Sequence, residues 1–101
     1  MNYKNDYDIR QLKLMNENLM AFDKGEISLY TLQSRLEFLL QVMEHVDDSW
    51  EFSFLEEIGT LASINAEEPV DKSINLNKIK NEAIHNLKNL VEGALQSLEE
   101  K

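Results

Sequence analysis

No cysteine occurs among the 101 residues, which excludes disulfides, thiol catalysis and every Cys-ligated zinc or iron–sulfur site. One Pro and three Gly are few for this length, and a chain so poor in turn formers fits a small number of long helices better than many short strands. No apolar run nears the ~18 residues of a membrane span. The opening Met1-Asn2-Tyr3-Lys4-Asn5-Asp6-Tyr7-Asp8 is charged and lacks an apolar stretch, so no secretory signal is expected. A soluble, cytoplasmic protein is the resulting expectation. One further absence is local: no Lys or Arg stands between Arg35 and Lys72.

Against these absences stands a chain that is 43% apolar, enough to offset the ordering entropy that keeps acidic tails unfolded. Its length suits one domain with one core. The net charge is −9, so repulsion opposes nucleic acid or an anionic membrane as principal partner. All of that imbalance lies in one third of the chain. Residues 36–71 hold ten acids and no base, and the remainder carries one positive charge in excess. Crowded like charges cost stability. Such a block is either a surface kept for solubility or a surface shaped to meet a basic partner.

Apolar periodicity predicts four helices, at about 5–23, 29–46, 49–66 and 76–99. In the first, Ile9, Leu12, Met15, Leu19 and Phe22 recur at helical spacing, and Gly25 closes the segment because glycine takes the left-handed conformation without steric cost. Ser28 is placed to cap the second, whose stripe is Leu29, Leu32, Leu36, Leu39, Met43 and Val46, widened by Phe38 and Leu40. Asp47-Asp48-Ser49 offers caps for the third, with Trp50, Phe54, Ile58, Leu61 and Ala62 on one face and Phe52 and Leu55 beside it. The alternation over residues 50–54 also reads as a strand, but no second alternating run exists to pair with it. Pro69 ends the third segment, and Asn75 can cap the fourth, which carries Leu76, Ile79, Ala83, Leu87, Leu90, Ala94 and Leu98 with Ile84, Val91 and Leu95 at its edge. Gly93 inside that helix is read as a close crossing or a bend. The expected fold is all-α, a compact antiparallel bundle of about four helices.

Catalytic and metal-binding patterns are thin. Glu82-x-x-His85 has the spacing used in di-iron bundles, but those sites need two copies and residue 42, the matching position before His45, is Val. His85 therefore reads as a surface or boundary residue, and His45, beside Glu44, as a solvated histidine whose carboxylate neighbours favour its charged form. Glu56-Glu57 and Glu67-Glu68 are consecutive on helices and point about 100° apart, so they do not converge on one substrate. Glycine-rich phosphate loops, HExxH and GxSxG are absent. Neither an enzyme nor a metal or cofactor is expected.

What remains is surface. Along the second helix Tyr30, Ser34, Glu37, Gln41, Glu44 and Asp48 follow one another at spacings of three and four, aligning acids with an aromatic. Glu56, Thr60, Ser63 and Glu67 form a similar row on the third. Trp50, Phe52 and Phe54 exceed what one narrow stripe holds. They form either a wide buried face or an aromatic anchor beside the acids, since Trp and Tyr commonly carry interface energy. The candidate partner-binding set is Tyr30, Glu37, Gln41, Glu44, Asp47, Asp48, Trp50, Glu51, Glu56, Glu57 and Glu67.

Through Gly25-Glu26-Ile27-Ser28-Leu29, Leu36-Glu37-Phe38-Leu39-Leu40 and Val46-Asp47-Asp48-Ser49-Trp50, over roughly residues 9–66, the chain resembles the small acidic helical immunity proteins of bacterial contact-dependent growth-inhibition and polymorphic toxin systems, including those paired with EndoU-type nuclease domains. The resemblance implies a cytoplasmic protein that binds a cognate toxin domain, blocks its active site and protects the producing cell. The charge agrees independently, because a nuclease must hold a phosphodiester and its cleft is usually basic. The alternative expectation is a non-enzymatic adaptor bundle, homodimeric through its extra aromatics, that binds another basic protein.

Overall fold

A computed structural model describes residues 3–66 and 75–99. The chain forms four helices: α1 Tyr3–Asp23, α2 Leu29–Val42, α3 Asp48–Asn65 and α4 Leu76–Glu99. The described residues contain no strand, and the aromatic run 50–54 is helical. The turn chemistries anticipated at Gly25, Ser28, Asp47 and Asn75 are those observed. Gly25 has φ of 76°, and the N–H groups of Gly25 and Glu26 donate to Phe22 and Ala21 carbonyls at 3.0 and 2.9 Å, a Schellman ending for α1. Ser28 Oγ accepts from the Thr31 N–H and Asn75 Oδ1 from the Lys78 N–H, each at 3.1 Å, so both are N-caps.

The helices form a ring in which α1 lies beside α2 and α4, α3 lies beside α2 and α4, and the Cα atoms of the diagonal pairs do not come within 8 Å among the described residues. Cross-links show the directions. Lys88 pairs with Asp23 while Lys13 pairs with Glu99 at 3.8 Å, so positions on α4 rise as those on α1 fall. Trp50 bonds Leu90 and Glu57 bonds Asn86 in the same antiparallel sense across α3 and α4. Inside the ring lie Leu12, Met15 and Leu19 of α1, Leu32, Leu36, Leu39 and Leu40 of α2, Phe54, Ile58 and Leu61 of α3, and Ala83, Ile84, Leu87 and Val91 of α4, all buried. This is the all-α antiparallel four-helix arrangement expected from the spacing.

Four details differ from expectation, the first being that Phe38, expected to widen the α2 stripe, is 62% exposed. Helix α2 stops at Val42, four residues short of the predicted 46, because Met43 turns extended (ψ 145°) and the next two N–H groups find partners off the helix. The carboxylate of Asp8 accepts from Glu44 N–H at 2.9 Å and from His45 N–H at 3.0 Å. Leu76 is exposed and does not continue the α4 core stripe. Gly93 marks neither a close crossing nor a tight contact, since a Cβ built there meets no atom within 4 Å. Pro69 lies outside the described residues.

The ends of the bundle are uneven. At a rise of about 1.5 Å per residue, α2 with 14 residues is shorter than α1 with 21 and α4 with 24. The segment 43–47 fills the difference by crossing the bundle end against α1, where Asp8 holds it.

Candidate functional site

The α2–α3 junction is built around Asp8, which is 1% exposed. Two backbone N–H groups satisfy its two oxygens, and His45 Nδ1 lies 3.5 Å from Oδ2. The carboxylate beside His45 is therefore Asp8 of α1, while the adjacent Glu44 points to solvent. A buried carboxylate without donors would be costly; here it caps a segment that has just left helical geometry. Sequence reasoning missed this residue. Its signal was nonetheless present: positions 8, 12, 15, 19 and 22 share one spacing, so Asp8 occupies the next core position on the α1 stripe.

Asp47 then starts α3 as its N-cap. Its Oδ2 accepts from Ser49 Oγ at 2.6 Å and from Trp50 N–H at 3.1 Å. These bonds, the Ser49 hydroxyl first, hold the Asp47 carboxyl below the usual carboxylate range. Asp48 and Glu51 in the first turn favour the positive end of the helix dipole. Trp50 is half-buried: its ring stacks on Phe54 with centroids 5.1 Å apart, and Nε1 donates to the Leu90 carbonyl of α4 at 2.9 Å. Of the three aromatics at 50–54 the one that faces solvent is Phe52, 64% exposed.

The early end of α2 separates the predicted surface row. Tyr30 and Gln41 remain exposed on α2, and Glu37 is half-buried, accepting from Gln33 Nε2 at 2.8 Å. Gln33 in turn accepts from Asn65 of α3 at 2.6 Å, which places the Gln33 and Glu37 flank of α2 toward α3. Glu44, by contrast, lies in the junction and Asp48 on α3, so the two do not extend the α2 row. On α3, Glu56 is exposed, whereas Glu57 is half-buried and accepts from Asn86 Nδ2 at 3.2 Å. Glu57 thus belongs to the α4 flank. Glu67 lies outside the described residues.

A different row replaces the predicted one. Asp48, Phe52 and Glu56 succeed one another at intervals of four on α3, with Glu51, Leu55 and Gly59 at the same intervals beside them. On helical geometry Asp48, Phe52 and Leu55 lie away from Glu57, whereas Glu56 also borders the α3–α4 groove beside Glu57 and Asn86. Phe52 and Leu55 are exposed, as are Asp48, Glu56 and Gly59. Phe52 therefore sits between two carboxylates on an outward face. The ion pairs of the described residues are Lys13 with Glu99, Lys88 with Asp23 and His45 with Asp8, so the acids of this face have no Lys or Arg partner among those residues.

Elsewhere, Glu82 and His85 are both exposed and His85 Nε2 lies 3.2 Å from Asn89 Nδ2. Among the described residues no three His, Asp or Glu side chains gather where they could hold a metal ion, and no helix is long and apolar enough to cross a membrane. Compared with protein-family models, curated proteins and solved structures, the chain matches none.

Proposed function

We propose that this chain is an immunity-type inhibitor that neutralises a basic bacterial toxin domain, a nuclease, by stoichiometric binding through the acidic side of its α2–α3 half. The observation that carries the reading is the exposed Phe52 and Leu55 set among Asp48, Glu51 and Glu56, in a stretch where no base competes for those carboxylates. An aromatic anchor supplies contact energy when its surroundings exclude water. The acids around it steer a basic partner and speed encounter, which suits an inhibitor that must capture toxin before damage occurs. No covalent chemistry is required of the chain; it acts by occupying the surface with which the toxin would hold a phosphodiester.

The test is protection and binding against a basic nuclease toxin domain, sought first in the gene immediately upstream. Glu44→Lys, Asp48→Lys and Glu56→Lys together should abolish protection and slow association strongly, with helical circular dichroism retained. Phe52→Ser should instead accelerate dissociation, with little change in the salt dependence of association. Undiminished protection in the triple variant overturns the surface. The same exposed apolar side chains also favour the adaptor reading, in which two copies pair. Sedimentation that shows a tight dimer losing its contact in Phe52→Ser would replace the inhibitor reading with that one.

A further inference from the structure

At the end of the bundle where Asp8 holds the 43–47 segment, a groove of about 380 Å³ opens between that segment, α3 and α4. Its walls are Met43, Val46, the Trp50 ring, Ala94 and Leu98. Hydrogen bonding to Leu90 and stacking on Phe54 fix the tryptophan, so this wall is set before anything binds. The size lies at the low end of ligand sites, about 300–1,000 Å³, room for one long side chain. No Lys or Arg lines the groove; its ionisable groups are His45, whose Nδ1 lies 3.5 Å from Asp8 Oδ2, and Asp47, the carboxylate at its rim.

Gly93 also borders the groove. An interior helical glycine lowers helix stability relative to alanine, yet no contact within the protein requires it, since a Cβ there would meet open space. What the missing side chain provides is bare backbone beside the groove, where an incoming group can approach closely.

We propose that this groove receives an arginine side chain of the partner. The aliphatic stem lies against Met43, Val46 and Leu98, the planar guanidinium lies over the Trp50 ring, and its N–H fork reaches the Asp47 carboxylate. Arginine fits better than lysine because a planar cation stacks on an aromatic face and pairs with a carboxylate through two parallel bonds. The Ser49 hydroxyl and the Trp50 N–H both bond Asp47 Oδ2 and the Ser49 N–H is a third donor to the carboxylate, so the guanidinium approaches a carboxylate already fixed in orientation. The partner's identity rests on the inhibitor reading above; the chemistry of the groove does not.

The chain has one tryptophan, so a single indole N–H resonance reports on this wall of the groove. The probes are N-acetyl-arginine amide and N-acetyl-norleucine amide, similar in aliphatic stem and different in charge, titrated into the full chain. Arginine amide should give a saturable shift of the indole resonance, with norleucine amide bound at least about fivefold more weakly. Asp47→Asn keeps a good helix cap while removing the charge, and should bring arginine binding down to the norleucine level. Gly93→Leu, on an exposed helical position, should fill the groove and abolish the response to both. No saturable shift in the native chain, equal affinity for the two amides, or native-like binding by Gly93→Leu would each overturn the proposal. Arginine binding in a chain with no affinity for the basic toxin domain would remove the inhibitor reading and leave the groove standing.

Discussion

Asp8 is the one buried polar side chain among the described residues. Two charge-assisted bonds end on it, each worth about 1.5–3 kcal/mol in a protein, and both hold residues that follow the last turn of α2. Asp8→Ala should therefore lower unfolding free energy by about 3 kcal/mol, measured by urea denaturation. Asp8→Asn should lose roughly half as much, since its single oxygen accepts one bond while its NH2 faces a second donor. A variant as stable as the native chain would show that water replaces the carboxylate. A polar residue in register with an apolar stripe was visible in the sequence. Its partner was not, because the two backbone groups it binds come from a segment 36 and 37 residues away. Trp50 shows the same limit: the stripe placed it with Phe54, but nothing local says that its indole reaches Leu90.

At the level of the helices, the three glycines divide by conformation. Gly25 has positive φ, where a side chain strains the backbone by about 1–2 kcal/mol. Gly59 and Gly93 sit inside α3 and α4 with open space around a notional Cβ. Gly25→Ala should therefore lower the melting temperature, and Gly59→Ala and Gly93→Ala should each raise it by about 4–8 °C, the shift expected for about 1 kcal/mol in a domain of this size. Differential scanning calorimetry checks the sign at all three positions. The helix caps Ser28, Asp47 and Asn75 were legible because capping is short-range chemistry, settled within three residues. The end of α2 was not, because the apolar stripe runs on through Met43 and Val46 and periodicity alone continues the helix. Both residues do pack against the core, from an extended segment. Losing that last turn moved Glu44 and Asp48 off the α2 surface and left Asp48, Phe52 and Glu56 of α3 as the acidic face.

For the molecule as a whole, charge and shape are in tension. Residues 36–71 hold ten acids and no base, and the ion pairs among the described residues are few and largely exposed. Added salt should therefore raise the melting temperature between roughly 0.05 and 0.5 M, because screening relieves more repulsion than attraction. A fall would mean that attractive pairs dominate. The bundle tolerates the repulsion because its interior is apolar throughout except at Asp8, leaving the other described acids on or near the surface. Four helices, their caps, the inner stripes and the acidic block are all properties of residues close together in the chain, and periodicity, turn chemistry and composition determined them without reference to the fold. Which aromatic of residues 50–54 faces water, where α2 ends, and which carboxylates share a face depend on groups that meet only when the ring closes. Those were decided by tertiary structure: the Asp8 carboxylate competes with the helix for two backbone donors and wins, and Leu90 draws the Trp50 indole inward, so the acidic face is organised around Phe52.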